Sequence, residues 1–130
     1  MPGKPHHWLA HARSDLNLAK LAQGNEEIIP EQVCFHTQQA AEKALKAVLV
    51  ARKVAFPYAH DLNVLFRVAL DAGIEVPEDV LEAESLTPYA VEARYPGYWE
   101  EVTPADVGEA LELAATVVSW ATELIDQPDA

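Results

Sequence analysis

One stretch, residues 34–49 (Cys-Phe-His-Thr-Gln-Gln-Ala-Ala-Glu-Lys-Ala-Leu-Lys-Ala-Val-Leu), constrains the fold more than any other part of the chain. On a helix advancing about 100° per residue, Cys34, Gln38, Ala41, Leu45 and Arg52 fall on one line. Val33, Thr37, Ala40, Ala44, Val48 and Ala51 flank it, and Gln32, Gln39, Glu42, Lys43, Lys46 and Lys53 lie on the opposite side. The apolar or weakly polar arc covers well over half the circumference. A helix on the outside of a bundle needs a stripe of only about 100°, so this one has neighbours on several sides. Its alanines let those neighbours come close, and Gln38, set among apolar positions, requires a hydrogen-bond partner there. The segment reads as the central helix of an all-α domain that also lines a dimer contact.

The chain in order supplies the other helices. Residues 1–6 read as a loose leader and 127–130 as a tail, leaving 7–126 as a single domain; 130 residues hold one modest core. A first helix is expected over 7–23, where Leu9, Ala12, Leu16 and Ala19 recur at helical spacing and Gly24-Asn25 stops it. A second runs over 30–53, with Pro30 and Glu31 in its first turn. Asp61 caps a third over 61–72, closed by Gly73. A fourth is expected over 78–93, bent at Pro88, and a fifth over 104–126 behind a capping box of Thr103 and Asp106. No segment alternates with the period of a strand. The expected architecture is an up-and-down four-helix bundle with an extra short helix.

Charge and cysteine usage narrow the function classes. The net charge of −12, from 21 acidic against 9 basic residues, disfavours nucleic-acid binding by bulk electrostatics. No apolar run has the length of a membrane span, and the N-terminus lacks the apolar core of a signal peptide, so a cytoplasmic location is expected. Cys34 is the only cysteine; its place on the apolar line favours an inert buried thiol.

Several residues can carry chemistry. His7, His11 and Asp15 share a helix face at metal-ligand spacing, but a solvated helix end explains them more simply, and no metal or other cofactor is expected. His36 borders the apolar arc and reads as a buried histidine bonded to backbone. His60 precedes the capping Asp61; a catalytic pair there is the minority reading. The stretch Arg94-Tyr95-Pro96-Gly97-Tyr98-Trp99 is the richest: with Tyr89 it gathers four aromatic rings around the only arginine after Arg67. Arginine offers a planar fork to phosphate or carboxylate, and aromatic faces stack on bases. The competing reading pairs Arg94 with a nearby acid and packs the rings on the bundle. Arg94, Tyr95, Tyr98, Trp99 and Tyr89 are the candidate binding residues; Arg94 and His60 are the weak catalytic candidates.

Four pieces in this order, Trp-Leu-Ala-His-Ala-Arg-Ser-Asp-Leu at 8–16, Phe-His-Thr-Gln-Gln-Ala-Ala-Glu-Lys-Ala-Leu-Lys-Ala at 35–47, His-Asp-Leu at 60–62 and Tyr-Ala-Val-Glu-Ala-Arg-Tyr-Pro at 89–96, resemble the HEPN family of small helical domains. The resemblance spans roughly residues 7–126 and is specific in combination. It implies an up-and-down bundle, commonly a homodimer, that forms one half of a toxin–antitoxin pair with a minimal nucleotidyltransferase. Toxic members of the family are metal-independent ribonucleases whose motif is an arginine with a histidine a few residues on. Histidine then moves the proton of a ribose 2′-hydroxyl, and arginine steadies the phosphate. Arg94 matches the motif's arginine, but the three permitted histidine positions hold Trp99, Glu100 and Glu101. Neither an indole nor a solvated carboxylate replaces an imidazole that titrates near neutral pH. The resemblance thus implies a homodimeric binding module for a nucleotidyltransferase, a nucleotide or RNA near Arg94. An RNA-cleaving toxin with a displaced histidine and a purely structural helical dimer are the alternatives.

Overall fold

The computed structural model describes residues 3–90 and 101–126. Five α-helices and one 3-10 helix make up the regular structure of the described residues: α1 (Pro5–Ala22), α2 (Pro30–Ala51), α3 (Leu62–Asp71), α4 (Glu78–Leu81), a 3-10 helix (Glu82–Ala90) and α5 (Pro104–Asp126). There is no strand among the described residues, and no helix among them is long and apolar enough to cross a membrane. The all-α bundle expected from periodicity is what forms.

α2 lies at the centre. It packs against α1 and α5 along its length and against α3 and the 3-10 helix. Val33, Cys34, Ala40, Ala41, Ala44, Leu45, Ala47, Val48 and Leu49 are all buried. The breadth of its apolar arc is thus taken up within one chain, and it carries no argument for a second copy. Ala12 and Ala19 of α1 are completely buried, as are Ala40, Ala41, Ala44 and Ala47 of α2. Methyl groups at these places leave room for neighbouring helices to come close. Leu62, Leu65, Phe66 and Ala69 turn one face of α3 into the same core.

The helix ends follow local rules. Thr103 and Asp106 form the expected capping box: the Thr103 N–H donates to Asp106 Oδ2 at 2.9 Å and the Asp106 N–H to Thr103 Oγ1 at 3.1 Å. Asp61 caps α3 by accepting from the Asn63 N–H at 2.8 Å. α2 and α3 finish in the same motif, with bonds from the residue two beyond the C-cap back to the last turn. These are Val54 N–H to Leu49 O at 2.9 Å and Ile74 N–H to Ala69 O at 3.1 Å. The motif puts one residue in the left-handed region. In α3 that residue is Gly73, at φ +85; in α2 it is Lys53, at φ +58.

Three expectations need correction. The fourth helix is not one α-helix: a four-residue α turn, Glu78–Leu81, hands over to a nine-residue 3-10 helix. Pro88 is the local cause, because it lacks the N–H that would bond to Glu84 and its ring clashes with that carbonyl in α geometry. The expected end at 93 lies outside the described residues. α2 also ends at Ala51, short of the expected 53, and α1 begins at Pro5, inside the expected leader.

Candidate functional site

The polar side of α2 is not the solvated face that its spacing suggests. Glu42 is 3% exposed and Lys46 5%. A buried carboxylate needs donors on its oxygens, and Glu42 has three. Gln38 Nε2 donates to Oε1 at 3.0 Å, Lys46 Nζ to Oε2 at 3.0 Å, and His60 Nδ1 lies 3.0 Å from Oε1. Gln38, fully buried, also donates to the His60 carbonyl at 3.1 Å and accepts from Gln39 Nε2 at 2.7 Å. Its amide thus finds the partners its position required. The Lys46 ammonium sits 5.7 Å from the centroid of the Trp8 ring and 5.8 Å from that of Phe56. The ring quadrupoles add attraction where water is excluded.

His60 is the part of this network that reaches the surface, with a side chain 46% exposed. As a carboxylate Glu42 only accepts, so Nδ1 is the nitrogen that donates to it, and in the neutral imidazole Nε2 carries the lone pair. Nε2 has no hydrogen-bond partner among the described residues. The Tyr58 ring, 94% exposed, meets the imidazole edge-on with centroids 5.6 Å apart. The chain just beyond His60 is tied to the end of the 3-10 helix, where the Leu62 N–H donates to Thr87 Oγ1 at 3.2 Å. A few residues after Thr87 the sequence reaches Arg94.

The expected site residues meet different fates. Arg94, Tyr95, Tyr98 and Trp99 lie outside the described residues. Tyr89 is partly buried against the core, near the Cys34 thiol. Burial raises the Cys34 thiol from its ordinary 9.0 to about 11, an effect the nearby Tyr89 hydroxyl opposes and Asp106 and Glu31 reinforce. Burial and the neighbouring Cys34 raise Tyr89 to about 12. A thiol held this high is a poor nucleophile at neutral pH, in line with an inert buried cysteine. His36 is not bonded to backbone as expected. Its Nδ1 lies 3.1 Å from Asp15 Oδ1, and Lys43 Nζ approaches Asp15 Oδ2 at 2.7 Å. Asp15 therefore faces α2, while His7 and His11 stay exposed. Glu42 and Lys46 are the residues that sequence reasoning missed. The only signal was their i,i+4 spacing, which also describes an ordinary surface ion pair.

The described residues form a small all-helical bundle built around one central helix. A profile of the HEPN domain matches residues 5–125, and the chain belongs to the HEPN domain family. The fold is similar to the crystal structure of an archaeal HEPN homologue, with a TM-score of 0.76 and 26% sequence identity over 95% of this chain and 99% of that one. No curated protein gives a match.

Proposed function

We propose that this HEPN-family chain is a binding module: a homodimer that pairs with a minimal nucleotidyltransferase in a toxin–antitoxin type of system. It recognises a nucleotide or the partner enzyme through Arg94 and its aromatic neighbours in sequence, and through the exposed pair Tyr58 and His60. The observation that carries this reading is the half-exposed His60, oriented from below by the buried Glu42 and flanked by an exposed tyrosine ring. It stands where the chain begins α3, beside the helix that leads toward Arg94. A fixed imidazole nitrogen, an aromatic face and an arginine suit a phosphorylated planar ligand. A net charge of −12 suits a small ligand or a protein better than a long polyanion.

Titration of the purified protein with ATP and GTP, and co-purification with a co-expressed minimal nucleotidyltransferase, test the reading. Arg94→Ala and His60→Ala are expected to stay folded and to lose nucleotide or partner binding. Unchanged binding in both variants sinks it. Light scattering addresses the homodimer: a monomer at micromolar concentration removes that part.

A second reading has one observation in its favour. With Nδ1 held by Glu42, His60 Nε2 carries the lone pair a general base needs. The chain is then a metal-independent endoribonuclease in which His60 stands in for the histidine absent at Trp99, Glu100 and Glu101. RNA cleavage that persists in EDTA and disappears in His60→Ala replaces the binding-module reading with this one.

A further inference from the structure

A second surface lies at the other end of α2. Glu42 is twelve residues, or about 18 Å of helix, from Pro30 at the N-terminus. There the loop between α1 and α2 and the start of α5 enclose a groove of roughly 590 Å³, lined by Ala22, Ile28, Ile29, Pro30, Val33 and Val107 among others. Ile28 is 37% exposed and Ile29 57%. The groove is thus open-sided, and its apolar wall faces solvent.

The loop that builds it is held in shape. Gly24 takes φ +78, a value open to glycine at no steric cost. Asn25 Oδ1 accepts from the Glu27 N–H at 2.9 Å, and the Asn25 carbonyl accepts from the Ile28 N–H at 3.0 Å. Ile29, extended at φ −68 and ψ 144, is the N-cap of α2 without a side-chain cap bond. A polar cap residue is the usual choice at that position; here it is an isoleucine turned to the groove.

The rim identifies the occupant. Glu26 lines the groove, and Glu27 and Glu31 are its neighbours in sequence. None of the three forms an ion pair among the described residues. A two-fold contact through this groove would bring Glu26, Glu27 and Glu31 of both copies face to face, so a homodimer is expected to form through another surface. We infer that the groove docks a basic amphipathic segment of a partner protein, with aliphatic side chains entering beside Ile28 and Ile29 and flanking lysines or arginines meeting Glu26, Glu27 and Glu31. Such a segment supplies the apolar anchor and the complementary charge that interfaces combine.

Isoleucine-methyl NMR on the full chain tests this with two twelve-residue helical peptides, one of leucine and lysine and the other with every lysine replaced by glutamate. The lysine peptide is expected to shift the Ile28 and Ile29 methyls, to bind more weakly as salt rises, and to lose about tenfold in affinity on Ile29→Glu. Glu26→Lys with Glu27→Lys should weaken it while leaving the circular dichroism unchanged. Because Ile29 is exposed, Ile29→Glu folds; if it does not, the double lysine variant decides alone. Equal binding of the glutamate peptide, shifts confined to other isoleucines, or no shift at millimolar lysine peptide overturns the inference. Concentration-dependent shifts of Ile28 and Ile29 without peptide also overturn it, in favour of self-association.

Discussion

Glu42 and His60, eighteen residues apart, meet at 3.0 Å, and the glutamate is the buried member while the histidine is the exposed one. The contact ties the loop after α2 to the centre of that helix. It also fixes which imidazole nitrogen is free. The same carboxylate neutralises Lys46, so one buried anion both supports the fold and orients the surface histidine.

Removing that anion leaves Lys46 charged and unpaired beneath Trp8 and Phe56. Glu42→Gln is expected to cost about 3–5 kcal/mol in urea unfolding. Combining it with Lys46→Met should recover part of the loss, because the uncompensated charge goes with it. A cost below about 1 kcal/mol for the single variant would mean that water reaches Lys46.

Lys53 holds a left-handed conformation at the end of α2 that Gly73 holds at the end of α3. A side chain in that region costs roughly 1–2 kcal/mol, partly returned by the greater freedom that glycine gives the unfolded chain. Lys53→Gly should therefore stabilise by up to about 1 kcal/mol. A lowered melting temperature would show that the lysine side chain contributes more than its backbone costs.

The packing of α2 against its neighbours depends on methyl-sized side chains. Ala44 is 0% exposed, and Ala44→Leu must push helices apart or force strained rotamers, at about 1–3 kcal/mol. Ala44→Gly, which keeps the close approach, should cost roughly 1 kcal/mol through helix propensity. Leucine tolerated without loss would indicate room that the burial denies.

Cys34 and Tyr89 set an alkaline limit. The Cys34 thiol rises from 9.0 to about 11 on folding, and the Tyr89 phenol from 10.0 to about 12. Both groups are neutral when protonated, and above pH 9 the unfolded chain loses these protons first. Their contribution is fully present below about pH 9 and is lost as pH rises through about 11 to 12. Stability measured from pH 8 to 11 should fall, and fall less in Cys34→Ala. At pH 8 the thiolate fraction is about one in a thousand, so alkylation of the folded protein should be slow.

The sequence by itself determined the helices, their caps and the face each turns inward. These rest on periodicity and on contacts between near neighbours, as in the box of Thr103 and Asp106 or the cap at Asp61. It also carried the blocks that resemble the HEPN family. The second face of α2 was decided only by tertiary structure. Helical spacing places Glu42 and Lys46 among polar residues, and an i,i+4 acid–base pair is as well suited to water as to a core. Trp8 from α1, Phe56 and the chain leading to His60 fold over that face and exclude the water. For the same reason Asp15 is found by His36 and Lys43 of α2 rather than by the histidines on its own helix. Spacing along one helix fixes which residues share a side, but what covers that side comes from distant parts of the chain, and the cover sets whether a charge is solvated or must be paired.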